Sequence, residues 1–150
     1  VDFDVHQGNG TVDIVQGDDR ILMCSSFQHP FYPHSHVYRL PDNIVNVPVP
    51  AGCGGQDYRD RVKDGWLARL EAFEPQLILV SAGFDGHRMD PMAEMNLETG
   101  DYLWMTEMLT GLAGEYANDR LVSTLEGGYH LTALAESVGA HVGELVRAGR

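Results

Sequence analysis

Asp2, Asp4 and His6 stand at alternate positions at the start of the chain, with Phe3 and Val5 between them and Gly8-Asn9-Gly10-Thr11 just beyond. In a strand, alternate side chains share a face. Two carboxylates and an imidazole would therefore leave the sheet together where the glycines end it. Hard oxygen and borderline nitrogen donors converging at a strand end suit a divalent cation such as zinc. A polar strand terminus running into a Gly-rich turn has the same look, and D-x-D-x-H alone leaves both readings open.

Two further segments repeat the arrangement. Leu77-Ile78-Leu79-Val80-Ser81-Ala82 follows Pro75 and runs into Gly83-Phe84-Asp85-Gly86-His87-Arg88-Met89-Asp90-Pro91. The apolar run reads as a strand buried on both faces, the pattern of a parallel sheet. Asp85 then sits just past a strand's carboxyl end, the edge where open α/β sheets bind ligands. Leu121–Leu125 likewise ends in Glu126-Gly127-Gly128-Tyr129-His130. Each of these is an ordinary βα turn taken singly. Three of them, each with a chemically capable residue, point to one shared site.

The elements that must position these residues alternate. Strands are expected at Val1–His6, Ile21–Phe27, Ile44–Val49, Leu77–Ala82 and Leu121–Leu125. Between them lie helical patterns: Thr11–Gln16, with Thr11 as N-cap; Gln56–Phe73, burying Tyr58, Val62, Trp66, Leu70 and Phe73; Thr99–Ala117, burying Tyr102, Met105, Leu109, Leu112 and Tyr116; and Thr132–Val146, burying Leu134, Val138, Val142 and Leu145. Strand–helix alternation calls for a parallel sheet with right-handed crossovers. No repeat, low-complexity stretch or linker divides residues 1–150, so one α/β domain is expected.

The three motifs, Asp2-x-Asp4-x-His6-x-Gly8-Asn9-Gly10-Thr11, Ser81-Ala82-Gly83-Phe84-Asp85-x-His87-Arg88-x-Asp90-Pro91 and Leu125-Glu126-Gly127-Gly128-Tyr129, in that order, resemble the zinc-dependent histone deacetylase family. The flavour is bacterial and class II-like, with acetylpolyamine amidohydrolases nearby, and the likeness runs from Val1 to about Leu145. It implies a three-layer, arginase- and deacetylase-like, Rossmann-like fold. Counting the five expected strands along the chain, their order would be 3-2-1-4-5, with Asp4, His6 and Asp85 meeting at the switch point.

The resemblance also implies roles. Asp4, His6 and Asp85 would hold Zn²⁺ or another divalent ion and leave a position open for water. Tyr129, on the flexible Gly127-Gly128, would donate to the oxyanion. Asp2, orienting a catalytic histidine, and Asn9 would stand just behind the ligands. Ser25 and Ser26, with Asp2, Asp4 and His6, would surround a structural K⁺. Tyr32, Met92, Gly127 and Gly128 would line the substrate tunnel. The substrate would be an acetyl-lysine or another acetylated amine, such as an acetylpolyamine, cleaved to acetate and free amine.

Departures from the family pattern matter. The family's general base is one of two adjacent histidines upstream of the D-x-D-x-H strand, and this chain contains no His-His pair. Gln7 stands where a histidine usually follows the ligand. His87 is a weak substitute base, with a loop or helix-side placement the better reading. At 150 residues the chain is about half a deacetylase domain, so it reads as the C-terminal half or as a shortened relative. A non-catalytic α/β module that binds metal or a partner is the rival reading. An arginase-like dimanganese enzyme is a third, opposed by His87 at the place of a needed carboxylate.

Ser25–His36 carries His29, His34 and His36 among aromatics and prolines; it suggests a structured loop more than a second metal site. Pro48–Gly55 is glycine-rich but lacks the P-loop Lys-Ser/Thr, so it is not read as a nucleotide site. The balance of 22 acidic against 10 basic residues, net −12, argues against nucleic acid. No run approaches the ~20 apolar residues of a membrane span. Two cysteines make no disulfide scaffold and no signal-peptide pattern is present, so a cytoplasmic setting is expected. The edge of the Leu121–Leu125 strand would lack a neighbour. A homo-oligomer, or pairing with the missing N-terminal half, is the expected consequence.

Overall fold

The computed structural model describes residues 1–150. Its elements are α1 (Asn9–Val15), β1 (Met23–Gln28), β2 (Ile44–Val49), α2 (Gly55–Phe73), β3 (Ile78–Ala82), α3 (Thr99–Tyr116), β4 (Leu121–Leu125) and α4 (Leu131–Ala148). β1 pairs with β2 in parallel, Ser25 opposite Asn46, and β3 pairs with β4 in parallel, Val80 opposite Ser123. The two pairs are joined through Asp2, which bridges to Ser25 on one side and to Ser81 on the other. Asp2 N–H donates to Cys24 O at 2.8 Å and Phe3 N–H to Ser81 O at 3.1 Å. The spatial order is thus β2, β1, the Val1–Phe3 segment, β3, β4, which is the expected 3-2-1-4-5.

The opening strand is shorter than Val1–His6. Only Asp2 ladders; Asp4–His6 form bends. The cause is local. Asp4 N–H goes to Asp2 Oδ1 (3.0 Å), Val5 N–H to Asp85 Oδ1 (3.0 Å) and His6 N–H to Asp4 Oδ1 (2.8 Å). Carboxylates capture the donors a ladder would use. Phe3 and Val5 still enter the core, each 2% exposed.

The core packs Phe3, Tyr58, Trp66, Val80, Tyr102, Met105 and Leu109 between the sheet and the helices α2 and α3. Tyr58, Val62, Trp66 and Leu70 are the buried face of α2, as the spacing predicts; Phe73, its last residue, is 37% exposed. α1 starts at Asn9 rather than Thr11, with Gly8 as a cap that offers no side chain. α3 is opened by Glu98, whose carboxylate and that of Asp101 form a reciprocal capping box.

Two expectations of burial are overturned. β3 is not buried on both faces: Ile78, Val80 and Ala82 point into the core, while Leu79 is 60% exposed. Its partner Val122 is 58% exposed on the same open face. α4 buries Ala133, Ser137, His141 and Glu144 most deeply; of the expected stripe, Leu134 and Val138 are half-buried against the core, Leu145 is half-buried and Val142 is exposed. Polar partners draw that face in: Thr106 and Ser123 bond His141, and Thr110 bonds Glu144. Leu131, Val142 and Val146 of α4 are left facing outward. No helix is long and apolar enough to cross a membrane.

Candidate metal and substrate site

Asp4, His6 and Asp85 converge where the Val1–Phe3 segment and β3 end side by side. One ligand-capable atom from each lies within 4.8 Å of the others. His6 Nδ1 is 3.0 Å from Asp4 Oδ1 and 3.2 Å from Asp85 Oδ2. Asp85 is 1% exposed, and apart from the approach of His6 Nδ1 its Oδ2 has no partner. A buried carboxylate oxygen without a partner is costly unless something else satisfies it.

The electrostatics of the cluster follow from two acids and one ring in a confined space. The side-chain bonds to Asp4 and Asp85 raise the His6 pKa to about 10. Burial pushes the Asp4 carboxyl up, but the His6 ring and the N–H groups of His6 and Gly127 outweigh it and hold it low. Asp85, more enclosed and next to Asp4, is held above the ordinary range, chiefly by burial. Asp2, behind Asp4, is raised to about 7, again chiefly by burial.

Glycines make room for this packing. A methyl group at Gly83 would collide with Asp4, and one at Gly127 with both Asp85 Oδ2 and Asp4 Oδ2. Gly128 has φ +142°, a conformation that L side chains rarely adopt. The glycines after each strand therefore serve the acids, not only the turns.

A cleft of about 770 Å³ opens over the cluster, lined by Asp4, His6, Tyr32, Met92, Gly127 and Tyr129 among others. Tyr129 is 55% exposed, and burial together with Asp85, Asp4 and Asp90 raises its pKa. The phenol therefore keeps its proton at neutral pH and can donate. Asn9 also lines the cleft, as does Asp2. Ser25 Oγ is fully buried and unpaired, whereas Ser26 Oγ bonds Tyr58 Oη at 2.7 Å.

The three loop histidines do not gather. His29 meets Tyr38 edge-on, and His36 Nε2 pairs with Asp13 at 2.9 Å. His87 stacks on Tyr102, ring centroids 6.5 Å apart, and its Nδ1 accepts from Met89 N–H. It does not line the cleft.

Sequence reasoning passed over two participants. Phe31 stacks on the His6 ring at 5.4 Å and 26°; its signal was only its place beside Tyr32-Pro33. Glu126 lines the cleft one residue before the glycine pair.

Comparison with known proteins follows the same outline. Residues 1–145 match the histone deacetylase domain model. A histone deacetylase-like amidohydrolase of Pseudomonas aeruginosa is 37% identical over 138 residues, covering 86% of this chain and 36% of that protein. The crystal structure of the HDA15 HD domain superposes with a TM-score of 0.87 at 33% identity, over 98% of this chain and 44% of that one. An acetylpolyamine aminohydrolase from Burkholderia pseudomallei gives a TM-score of 0.83 at 27% identity, over 96% and 43%. The chain thus spans less than half the length of each.

Proposed function

Because the chain belongs to the histone deacetylase domain family, we propose that it carries the metal-holding and oxyanion-stabilising part of an amidohydrolase acting on acetyl-lysine or acetylpolyamine amides. The observation that carries this reading is the Asp4–His6–Asp85 cluster under the cleft, with the buried Asp85 Oδ2 approached by the His6 ring alone. Two carboxylates and one imidazole suit zinc, and the collisions a side chain at Gly83 or Gly127 would cause show how closely the backbone is drawn around the acids. Zinc, when held by these residues, supplies a Lewis acid that polarises the amide carbonyl.

The protein's own groups do the rest. Phe31 and Tyr32, packed on the His6 ring, and Met92 in the same cleft lining supply apolar surface for an acyl-amine chain. Tyr129 donates its phenolic hydrogen to the carbonyl oxygen as negative charge develops there. Hydrolysis forms a C–O bond, breaks the C–N bond, and sends a proton from water to the departing amine. This chain lacks the adjacent histidine pair that carries that proton in the family pattern. We assign it to a residue outside these 150, supplied by the remainder of a complete domain. The unpaired Ser25 hydroxyl supports a structural K⁺ beside Asp2, with the Asp4 and His6 backbone. The open apolar groove along α4 and the β4 edge support association with a second copy or with further residues of a complete domain.

Metal analysis of wild type against Asp4→Ala and Asp85→Ala tests the reading. Stoichiometric zinc in the wild type and its loss in both variants is expected. Undiminished zinc in both would overturn the assignment.

A further inference from the structure

The Gly127-Gly128-Tyr129 loop is pinned on both sides of its flexible point. On the near side, Gly127 N–H donates to Asp4 Oδ2 at 2.9 Å and Gly127 O accepts from Phe84 N–H at 2.8 Å. On the far side, a single carboxylate holds it: Asp90 Oδ2 accepts from Tyr129 N–H at 2.7 Å and from His130 N–H at 3.0 Å. Asp90 Oδ1 accepts from Met92 N–H at 3.0 Å. Asp90 is 6% exposed, its own N–H is bound to His87 O at 2.7 Å, and Pro91 follows it. Every bond of that carboxylate goes to backbone, and those backbones belong to two lining residues of the cleft and to the residue that caps α4.

Without Asp90, nothing beyond Gly128 would fix the angle at which Tyr129 leaves the backbone until α4 begins. Gly128, at φ +142°, is the natural pivot. Charge-assisted bonds from backbone N–H to carboxylate are stronger than neutral ones and directional, so the carboxylate defines both position and tilt. Because its second oxygen holds the Met92 N–H, the backbones of Tyr129 and Met92 hang from one carboxylate.

We propose that Asp90 is the positioning residue of the site: its two oxygens lock Tyr129 and Met92 to each other, so that the oxyanion donor and the wall of the acyl channel keep a fixed separation. This rests on the reading of Tyr129 as that donor, and its test does not depend on turnover.

The experiment places 3-fluorotyrosine at position 129 in the full 150-residue chain. Fluorine NMR is recorded with amide hydrogen exchange for wild type, Asp90→Ala, Asp90→Asn and Asp101→Asn. Loss of the carboxylate in Asp90→Ala is expected to speed exchange at Tyr129 and His130 by about tenfold or more. The fluorine signal should narrow and move toward that of free fluorotyrosine. Asp90→Asn keeps the volume but only one acceptor oxygen, so it should give a smaller change of the same sign. It decides the matter if the alanine variant does not fold. Asp101→Asn, which breaks the buried ion pair with Arg59 (2.7 Å), should lower stability and leave position 129 unmoved. Unchanged exchange at Tyr129 and His130 in the Asp90 variants would overturn the proposal. So would a loss of protection spread evenly over α4 with the fluorine signal unmoved, the mark of a helix cap alone. Zinc titration of the same samples separates the two ideas. Failure of the wild type to bind zinc would sink the amidohydrolase reading, while the exchange result would still judge Asp90.

Discussion

Gly127 N–H donates to Asp4 Oδ2 at 2.9 Å across 123 positions of sequence. That one bond ties the end of β4 to the opening segment of the chain. It also leaves no room for a side chain, since a methyl group on Gly127 would overlap the carboxylates of both Asp4 and Asp85.

Gly127→Ala should therefore lose zinc binding by displacing two ligands at once. Gly111, exposed on α3 with no atom within 4 Å of a methyl group there, provides the contrast. Gly111→Ala should keep zinc and gain about 0.5–1 kcal/mol of stability from reduced freedom of the unfolded chain. Calorimetric zinc titration and denaturant unfolding of both variants read the difference. Retained zinc affinity in Gly127→Ala would refute the account of the site.

The strand positions were legible because strand-length apolar runs ending in glycine-flanked acids are local signals. The sheet order, and with it the meeting of Asp4, His6 and Asp85, was implied by the family resemblance, since no local pattern fixes which strands are neighbours. β2 and β4 fall on their expected residues, and α2 and α3 bury most of the expected stripe. The failures share a cause. Leu79, Val122, Val142 and Val146 are as apolar as any core residue, yet all are substantially exposed. Periodicity reports which residues share a face; it says nothing about whether a partner covers that face. The inward face of α4 was hidden for the opposite reason, since Ser137, His141 and Glu144 look like a solvated stripe until Thr106, Thr110 and Ser123 are seen beside them. The role of Asp90 was hidden too, because its partners are backbone N–H groups that no side-chain pattern reveals.

The isolated chain should release little or no acetate from an acetyl-lysine peptide, even with zinc supplied. General acid–base assistance contributes ~10²–10⁴-fold, and the histidine nearest in sequence to the cluster, His87, is stacked on Tyr102 away from the cleft. Robust turnover abolished by Tyr129→Phe would show that a base is present in this chain after all.

His141 makes the fold sensitive to mild acid. The ring is 4% exposed, bonded to Thr106 Oγ1 at 2.7 Å and Ser123 Oγ at 2.9 Å, and burial lowers its pKa below the ordinary 6.5. Thr106 spends its hydrogen on Tyr102 O, so Nδ1 donates to Thr106 and Nε2 accepts from Ser123. With the folded value below the unfolded one, the unfolded chain binds more protons in that window. Stability then rises with pH through it and is lost as pH falls from 6.5 toward the folded value. Asp2, raised to about 7, acts with the opposite sign, so the wild-type slope is a sum. The difference between wild type and His141→Gln isolates the ring. Melting curves at pH 7.5 and pH 5.5 should show His141→Gln less stable at the higher value, with the gap closing at the lower. A gap that is constant with pH would rule the mechanism out.

The chain should self-associate through the outer face of α4. Leu125, Leu131, Leu134, Val138, Val142 and Val146 line an open apolar groove of about 710 Å³ beside the unpaired edge of β4. Contiguous apolar surface of this kind marks an interaction site, and a bare strand edge is a template for pairing. A two-fold dimer is the simplest closed assembly, each copy covering the other's groove. The net charge of −12 opposes contact, but it is screened beyond ~8 Å at physiological salt. Val142, 47% exposed, lines the groove and is not part of the Asp4–His6–Asp85 cluster. Sedimentation at low micromolar concentration should give a dimer for the wild type, and Val142→Glu should shift it toward monomer without lowering its melting temperature. A wild-type chain that sediments as a clean monomer with a sharp, cooperative melt would mean that the apolar face of α4 is stable in water as it stands.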